Sequence, residues 1–367
     1  MERTLTATSS RVARPFGLAV VGGFTTAKRN ARGDGVTAWR IDPGSGEWTL
    51  TDCLSGLVNP SFLVADPLRP VFYTVHGDCD YASAIGIDPA RATLRLLGQA
   101  ATGGTNGVHP ALAPTGNHLI VANYGSGSVA VLPVRPDGRL DDFIRSVDLP
   151  GPVGPHRDEQ AMSHPHHVVF DPSGRFVLVP DKGLDRVFVL RFDPRDGGLS
   201  LHAGGEAIMR PGAGPRHIVF HPVLQLAFVL NELESTVATC RWDMEAGRLA
   251  PVDLATTLPR DFFGNSTAAA IVVSPCGRHV LASNRGHDSI VHFEFNEETN
   301  RLGTIGWTPS RGRDPRFMTL DPSGRILFVA NEQGDSIVSF ERRPQMPALV
   351  PRGGPVPVCS PTTIAFV

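Results

Sequence analysis

Histidine, arginine and glutamate side chains recur where short apolar runs of the chain begin or end. His166, Arg216 and Arg316 stand near the start of such runs, whereas Glu232 and Arg285 follow the end of others. Histidine can transfer protons near neutral pH. Arginine binds carboxylate or phosphate through paired hydrogen bonds, and a fixed guanidinium stabilises developing negative charge. If the fold gathers these residues, we expect a site for a small anionic molecule.

A metal site is an alternative, because His164 and His166 alternate along the chain and could share one face of a strand. No third ligand follows at metal-like spacing, so we expect no metal. The chain also has no G-x-S-x-G motif, no G-x-x-x-x-G-K-[ST] loop and no G-x-G-x-x-G after a strand. These absences argue against a serine hydrolase, a phosphate loop and a nicotinamide cofactor. We therefore expect no cofactor.

The elements that must position these residues follow one repeated pattern. A short apolar run, a turn that often reads Asp-Pro-Ser-Gly-Arg, and a second apolar run recur six times. The turn contains a proline that pre-sets φ and often a glycine that supplies a positive φ, as in a β-hairpin. The turn prolines are 47 to 58 residues apart and are Pro67, Pro114, Pro172, Pro222, Pro275 and Pro322.

Each hairpin is followed by a third β-rich run and usually by a weaker fourth, which is the content of a propeller blade. The C-terminal run TTIAFV and the N-terminal runs GLAVVGGF, GVTAWRI and EWTLT supply a seventh, split blade. The sequence therefore predicts an all-β fold, a seven-bladed β-propeller closed between its two ends. It forms one domain over residues 16–367, preceded by a frayed tail at residues 1–15.

Propeller geometry places the candidate residues at one end of the central channel. The first two strands of a blade are antiparallel and the first is innermost, so residues that enter the first strand and leave the second lie together. Besides the residues above, this rule nominates substrate contacts at His109, Asn123, Tyr124, Lys182 and His217. Lys182 as a solvated loop charge is the alternative. Structural roles are equally open for His109, Asn123 and Tyr124.

Composition narrows the class of protein. The 34 basic and 36 acidic residues give a net charge of -2, without the basic excess of a nucleic-acid binder. No apolar run is long enough to span a membrane, and the N-terminus lacks the apolar segment of a secretion signal. The five cysteines show neither a disulfide framework nor zinc spacing. We expect a cytoplasmic protein, a monomer or weak oligomer, with no nucleic-acid or membrane partner.

The segment GAGPRHIVFHPVLQLAFVLNELESTV, with HPHHVVFDPSGRFVLVPDKGLDRV and DPRFMTLDPSGRILFVANEQGDSI, resembles the propeller lactonase family. That family holds the cycloisomerase-2-type 6-phosphogluconolactonases and the fungal carboxymuconate lactonizing enzymes. The resemblance implies that water opens a sugar lactone without a metal at one end of the channel. It assigns catalytic roles to His166, to Arg216 in G-P-R-H, to Glu232 in N-E-L and to Arg316 in a P-R motif.

Each of these roles has a structural alternative. His166 can cap backbone groups in a turn, Glu232 can organise the loop beside Asn231, and Arg216 can pair with a carboxylate of a neighbouring blade. The sequence also leaves open whether His166 or Glu232 is the general base. For a phosphorylated substrate the candidate phosphate contacts are Arg216, Arg316, Arg285 and Lys182.

The expected function is hydrolysis of 6-phosphogluconolactone to 6-phosphogluconate, in the oxidative pentose phosphate route. One alternative is a lactonase or lactonizing enzyme for another anionic substrate, such as a carboxymuconate. The other is a propeller that binds a partner without catalysis, since fold does not determine function.

Overall fold

The computed structural model describes residues 17–343 and 349–367, so the predicted tail at residues 1–15 lies outside the described residues. Within them, thirty β-strands form seven antiparallel sheets, and the one helical element is a short 3-10 helix. Contacts between innermost strands, together with apolar clusters shared by neighbouring sheets, join each sheet to the next in a closed cycle. The predicted seven-bladed β-propeller is confirmed.

The strands are numbered in chain order, and blades 1 to 7 follow the order of their innermost strands. The N-terminal elements are β1 (Leu18–Gly23), the 3-10 helix (Ala27–Arg29), β2 (Gly35–Ile41) and β3 (Trp48–Ser55). Blade 1 contains β4 (Pro60–Ala65), β5 (Val71–His76), β6 (Tyr81–Asp88) and β7 (Thr93–Ala101). Blade 2 contains β8 (Gly107–Leu112), β9 (His118–Asn123), β10 (Ser128–Pro133) and β11 (Arg145–Asp148).

Blade 3 contains β12 (Val169–Phe170), β13 (Phe176–Asp181), β14 (Arg186–Asp193), β15 (Gly198–Leu201) and β16 (Ala207–Ile208). Blade 4 contains β17 (Pro215–Phe220), β18 (Leu226–Asn231), β19 (Thr236–Asp243) and β20 (Arg248–Thr256). Blade 5 contains β21 (Thr267–Val273), β22 (His279–Arg285), β23 (Ser289–Asn296) and β24 (Arg301–Pro309). Blade 6 contains β25 (Pro315–Leu320), β26 (Ile326–Asn331), β27 (Ser336–Arg342), β28 (Leu349–Pro351) and β29 (Val356–Pro357).

The last strand, β30 (Pro361–Phe366), closes the ring by pairing with β1, so that blade 7 has the order β3-β2-β1-β30. Val20 pairs with Ala365 and Val21 with Ile364 in this antiparallel ladder. The two chain ends thus share one sheet, as the sequence predicts, and the innermost strand of blade 7 comes from the C-terminus. Closure pairs the strands at the two ends of the chain, so that neither is left as an open inner edge of the ring.

The recurring Asp-Pro-Ser-Gly turn has a local physical cause. In blade 3 the Asp171 carboxylate accepts a hydrogen bond from the Phe176 backbone N–H at 3.0 Å, and in blade 6 Asp321 accepts one from Ile326 at 2.7 Å. Gly174 supplies the φ of +70° that the tight connection requires. The aspartate therefore holds the hairpin between the two inner strands.

Apolar side chains fill the space between blades. One core cluster joins Ile120 and Val131 of blade 2 to Val177 and Phe188 of blade 3, and all four are buried. Because each sheet packs against both of its neighbours, its inner strands are buried on both faces. The polar residues at the ends of these strands meet at the channel.

Candidate functional site in the central channel

Innermost strands contain a β-bulge near their start. The extra residue of this bulge is the one whose side chain turns toward the channel. In blade 4, Pro215 pairs with Asn231 and His217 with Leu230, so Arg216 has no partner on the neighbouring strand. A bulge bends its strand and re-aims the extra residue. Arg216 accordingly lines the cavity at this end of the channel.

The same register shift recurs around the ring and produces one such residue in most blades. In blade 3, His166 occupies the position between the isolated bridge of Pro165 to Asp181 and the first residue of β12. The other cavity-lining residues at this position are Ser61, Val108, Arg316 and Thr362. The catalytic candidates His166, Arg216 and Arg316 thus occupy the same structural position in three different blades.

The prediction that His164 and His166 lie on one strand is wrong, because β12 begins only at Val169. The two rings also have different surroundings. The His164 ring stacks on Tyr124 with centroids 4.2 Å apart, whereas His166 lines the cavity. Among the described residues, no group of three or more His, Cys, Asp or Glu side chains could hold a metal ion.

The cavity has a volume of about 260 Å³, and Glu232 is one of its lining residues. Three cationic side chains contact the Glu232 carboxylate. Arg216 Nε lies 2.8 Å from Oε2, while Lys182 Nζ and Arg285 Nη2 each lie 3.2 Å from Oε1. These cations come from blades 3, 4 and 5, so one carboxylate joins the inner ends of three sheets. Glu159, from the loop before β12, also contacts Lys182 Nζ at 2.6 Å.

Charge pairing determines the ionisation of this cluster. Burial alone would raise the pKa of Glu232, but Arg285, Lys182 and Arg216 outweigh it and hold the pKa well below its ordinary value. Burial would lower the pKa of Lys182, and Glu232 and Tyr124 reverse that effect so that it is raised. At neutral pH the carboxylate is therefore ionised and Lys182 is charged. A carboxylate with so low a pKa is a weak proton acceptor.

His166 is buried and uncharged at neutral pH. Burial and the nearby Arg216 guanidinium hold its pKa well below the ordinary value, although Glu232 opposes them. Its Nδ1 atom is buried without a hydrogen-bond partner among the described residues. The Tyr124 and His217 rings flank it edge-on, each with its centroid 5.6 Å away. A neutral imidazole in the cavity wall can accept a proton.

The next residue along the chain, His217, holds Arg216 in place. Arg216 Nη1 lies 2.9 Å from His217 Nε2 and also donates to the Ala269 carbonyl. Because a guanidinium only donates hydrogen bonds, Nε2 must accept, so the His217 ring is neutral and carries its proton on Nδ1. Burial and Arg216 lower the pKa of His217 well below its ordinary value, which is consistent with that neutral form.

Four aromatic rings pack together beside the cavity. The His109 and His167 ring centroids are 3.9 Å apart, the Phe62 and His109 centroids 4.1 Å, and the His167 and His217 centroids 4.8 Å. Burial lowers the pKa of His167 to about 3, so its ring stays neutral. Of these rings, Phe62 and His217 line the cavity, whereas His109 and His167 pack behind them.

Most of the residues predicted from sequence come together here. The ones that line the cavity are His166, Arg216, Glu232, Arg316, Tyr124, Lys182, His217 and Arg285. His109 does not line the cavity and packs against Phe62. Asn123 is fully buried and does not line the cavity. Its side-chain amide donates a hydrogen bond of 3.0 Å to the Thr102 carbonyl, and so connects the end of β9 to the segment that follows β7.

The sequence did not nominate eight polar or aromatic residues of the cavity, which are Phe24, Arg29, Ser61, Phe62, Asn106, Glu159, Phe317 and Thr362. Phe24 directly follows β1, the second strand of blade 7, so the rule of residues leaving a second strand predicts it once that rule is extended to the split blade. Arg29 lies in the following 3-10 helix. Glu159 lies in the long loop before blade 3, for which sequence offers no positional signal.

A propeller whose channel end carries a buried arginine–glutamate–lysine cluster beside a neutral histidine is a small-molecule site rather than a flat docking surface. Residues 19–366 match the family described as lactonase, 7-bladed beta-propeller. The chain belongs to this family of lactone hydrolases.

Named relatives agree with this membership. The chain is 29% identical to a 6-phosphogluconolactonase of Bacillus subtilis (strain 168), over 94% of this chain and 98% of the relative. It is 31% identical to a 6-phosphogluconolactonase of Formosa agariphila, over 88% of this chain and 91% of the relative. The solved structure of a Pseudomonas aeruginosa periplasmic gluconolactonase superposes with a TM-score of 0.87 at 29% identity, covering 96% of this chain and 99% of that one.

Within the described parts of the chain, no helix has the length and apolar character needed to cross a membrane.

Proposed function

We propose that this protein hydrolyses 6-phosphogluconolactone to 6-phosphogluconate at the channel cavity. Membership of the lactonase family and relatives named 6-phosphogluconolactonase support the substrate class. The observation that carries the proposal is the pairing of a neutral His166 with a charged Arg216 in one cavity wall. Hydrolysis of a lactone needs a proton acceptor for water and a donor for the carbonyl oxygen, and these two groups provide them.

In the proposed reaction, His166 accepts a proton from water while the water oxygen bonds to the lactone carbonyl carbon. The carbonyl oxygen becomes an oxyanion, which the Arg216 guanidinium stabilises. When this intermediate collapses, the bond between the carbonyl carbon and the ring oxygen breaks, and the imidazolium of His166 returns its proton to that oxygen. The new carboxylic acid loses its own proton to solvent.

Glu232 acts in this scheme by positioning and not as the base. Both of its oxygens are occupied, Oε2 by Arg216 and Oε1 by Lys182 and Arg285. Nδ1 of His166, in contrast, has no hydrogen-bond partner among the described residues. Glu232 instead fixes Arg216 Nε at 2.8 Å and stabilises the imidazolium that forms on His166. We therefore propose His166, and not Glu232, as the general base that the sequence left open.

Tyr124, Lys182, Arg285 and His217 complete the cavity wall and contact the sugar in this proposal. Lys182 stacks its ammonium over the Tyr124 ring at 5.5 Å from the centroid. This contact fixes the Lys182 ammonium and the Tyr124 hydroxyl as polar groups of the cavity wall. The pentose phosphate route and the cytoplasmic location expected from the sequence stay predictions.

The experiment is turnover of freshly generated 6-phosphogluconolactone, corrected for the uncatalysed rate, in wild type and His166→Ala. General acid–base catalysis contributes roughly 10²–10⁴-fold, so we expect kcat to fall by at least about 100-fold. His202→Ala is the matched control, because His202 contacts the Ala246 carbonyl and does not line the cavity. Its rate should match wild type.

A wild-type rate at the uncatalysed background would contradict the proposed substrate. A His166→Ala variant that keeps its circular dichroism spectrum and its activity would contradict the assigned base.

A further inference from the structure

A second cationic pair lines the same cavity, away from Glu232. The guanidinium carbons of Arg29 and Arg316 lie over the ring of Phe24, 5.0 and 4.9 Å from its centroid. All three residues face the cavity. Stacking on one aromatic ring fixes the planes of both guanidinium groups without using their N–H donors.

Each of the two arginines is paired with a carboxylate, but part of its guanidinium N–H donors makes no hydrogen bond within the described structure. Arg29 Nε and Nη2 contact Asp78 at 2.7 and 3.0 Å, and Arg316 Nη1 contacts Glu332 at 3.2 Å. Nη1 of Arg29 and both Nε and Nη2 of Arg316 make no hydrogen bond to any described residue. Burial lowers the pKa of Arg316 and Glu332 opposes this, so the side chain remains a cation at neutral pH.

Ring order places this pair across the channel from the reacting groups. Phe24 and Arg29 belong to blade 7 and Arg316 to blade 6, whereas His166 belongs to blade 3 and Arg216 to blade 4. In a closed ring of seven blades, blade 7 lies opposite blades 3 and 4. A ligand whose carbonyl is at His166 therefore reaches the Arg29–Phe24–Arg316 cluster with its other side.

We propose that the Arg29–Phe24–Arg316 cluster binds the phosphate monoester of the substrate. In 6-phosphogluconolactone the phosphate sits on a carbon outside the lactone ring, so carbonyl and phosphate need separate subsites. Arginine is suited to the phosphate because its planar donors match two of its oxygens. The inference rests on the proposed function and names Arg29 as the residue that selects phosphorylated lactones.

The test compares hydrolysis of 6-phosphogluconolactone and glucono-δ-lactone by wild type, Arg29→Gln and Lys28→Gln. Lys28 is the matched control, because its ammonium contacts the same Asp78 at 3.1 Å but is 76% exposed and does not line the cavity. A lost charge-assisted contact costs about 10-fold or more in binding. We expect Arg29→Gln to raise KM for the phosphorylated lactone by about that factor, with kcat and the KM for glucono-δ-lactone within about twofold.

Arg29→Lys should retain the charge without the planar fork and give an intermediate KM. Calorimetric titration with 6-phosphogluconate measures the subsite without turnover, and Arg29→Gln should weaken that binding about 10-fold while Lys28→Gln leaves it unchanged.

The two proposals fail differently. If wild type hydrolyses neither lactone, the proposed function fails, while weaker 6-phosphogluconate binding by Arg29→Gln still supports the subsite. If Arg29→Gln binds 6-phosphogluconate like wild type, or slows both lactones equally, the subsite is overturned even where turnover is intact. An equal effect of Lys28→Gln on phosphorylated ligands also overturns it, because the cause would then be the general field around Asp78.

Discussion

Replacing Glu232 by Gln tests whether its carboxylate holds the inner ends of three blades together. The substitution keeps the side-chain volume and removes one negative charge. Arg216 and Lys182 expose only 3% and 6% of their side chains, so neither can gain solvation in place of the lost partner. Breaking a buried ion pair by removing one member typically costs about 3–5 kcal/mol. We expect Glu232→Gln to lower the free energy of unfolding by this amount.

Equilibrium urea unfolding, followed by circular dichroism at neutral pH and low salt, measures this loss. The matched control is Glu234→Gln, two residues away in the same loop. Glu234 contacts Arg210 at 2.9 Å, but that arginine is 67% exposed, and surface pairs contribute about 0.2–1 kcal/mol. The control should therefore lose less than about 1 kcal/mol.

A double-mutant cycle with Lys182→Met gives a second measure of the same interaction. Lys182→Met removes one of the uncompensated cations, so the double variant should be more stable than the two separate losses predict. Two results would refute the reasoning. One is a Glu232→Gln loss no larger than that of Glu234→Gln, and the other is additivity of the two substitutions.

Two further predictions concern histidines. His217→Gln retains a hydrogen-bond acceptor for Arg216, so its kcat should stay within about 10-fold of wild type. His217→Leu leaves the Arg216 donor unpaired and should lower kcat by about 100-fold more, which steady-state kinetics detects. Equal losses in the two variants would exclude a positioning role for His217. His76 is buried, and burial lowers its pKa to about 4. The unfolded chain takes up this proton near pH 6.5 and the folded chain only near pH 4, so stability falls as pH falls between those values, by about 1 kcal/mol for this residue from pH 7.5 to 5.5. Urea midpoints at both pH values check this. His76→Gln should reduce the dependence by about 1 kcal/mol without abolishing it, because other buried histidines also have lowered pKa values. An unchanged dependence in the variant would contradict the assignment.

The fold was predictable because its signals are local and repeated. A proline turn every 47 to 58 residues, each flanked by two apolar runs, reports a hairpin that forms from neighbouring residues. Repetition then identifies the blade, and the unpaired runs at the two ends identify the closure of β1 on β30. Each step needs only short-range chemistry and the requirement that sheet edges be paired.

The site was predictable in part, because the ends of the two inner strands of a blade must meet at the channel. That rule found Lys182, Glu232 and Arg285, which converge in the structure. The rule also nominated Asn123, which lies at a strand end. Its side-chain amide donates a hydrogen bond to the Thr102 carbonyl instead of lining the cavity. The rule missed Arg29 because the second strand of blade 7 comes from the other end of the chain from its first.

By itself, the sequence determined the blades, their number and the set of side chains at one end of the channel. Only the tertiary structure decided which of them reach the cavity, because a bulge of one residue rotates Arg216 and His166 inward. It also decided the partners and the ionisation of Glu232. Those depend on distances between segments about fifty residues apart, and on burial that strengthens each charge interaction far beyond its value in water.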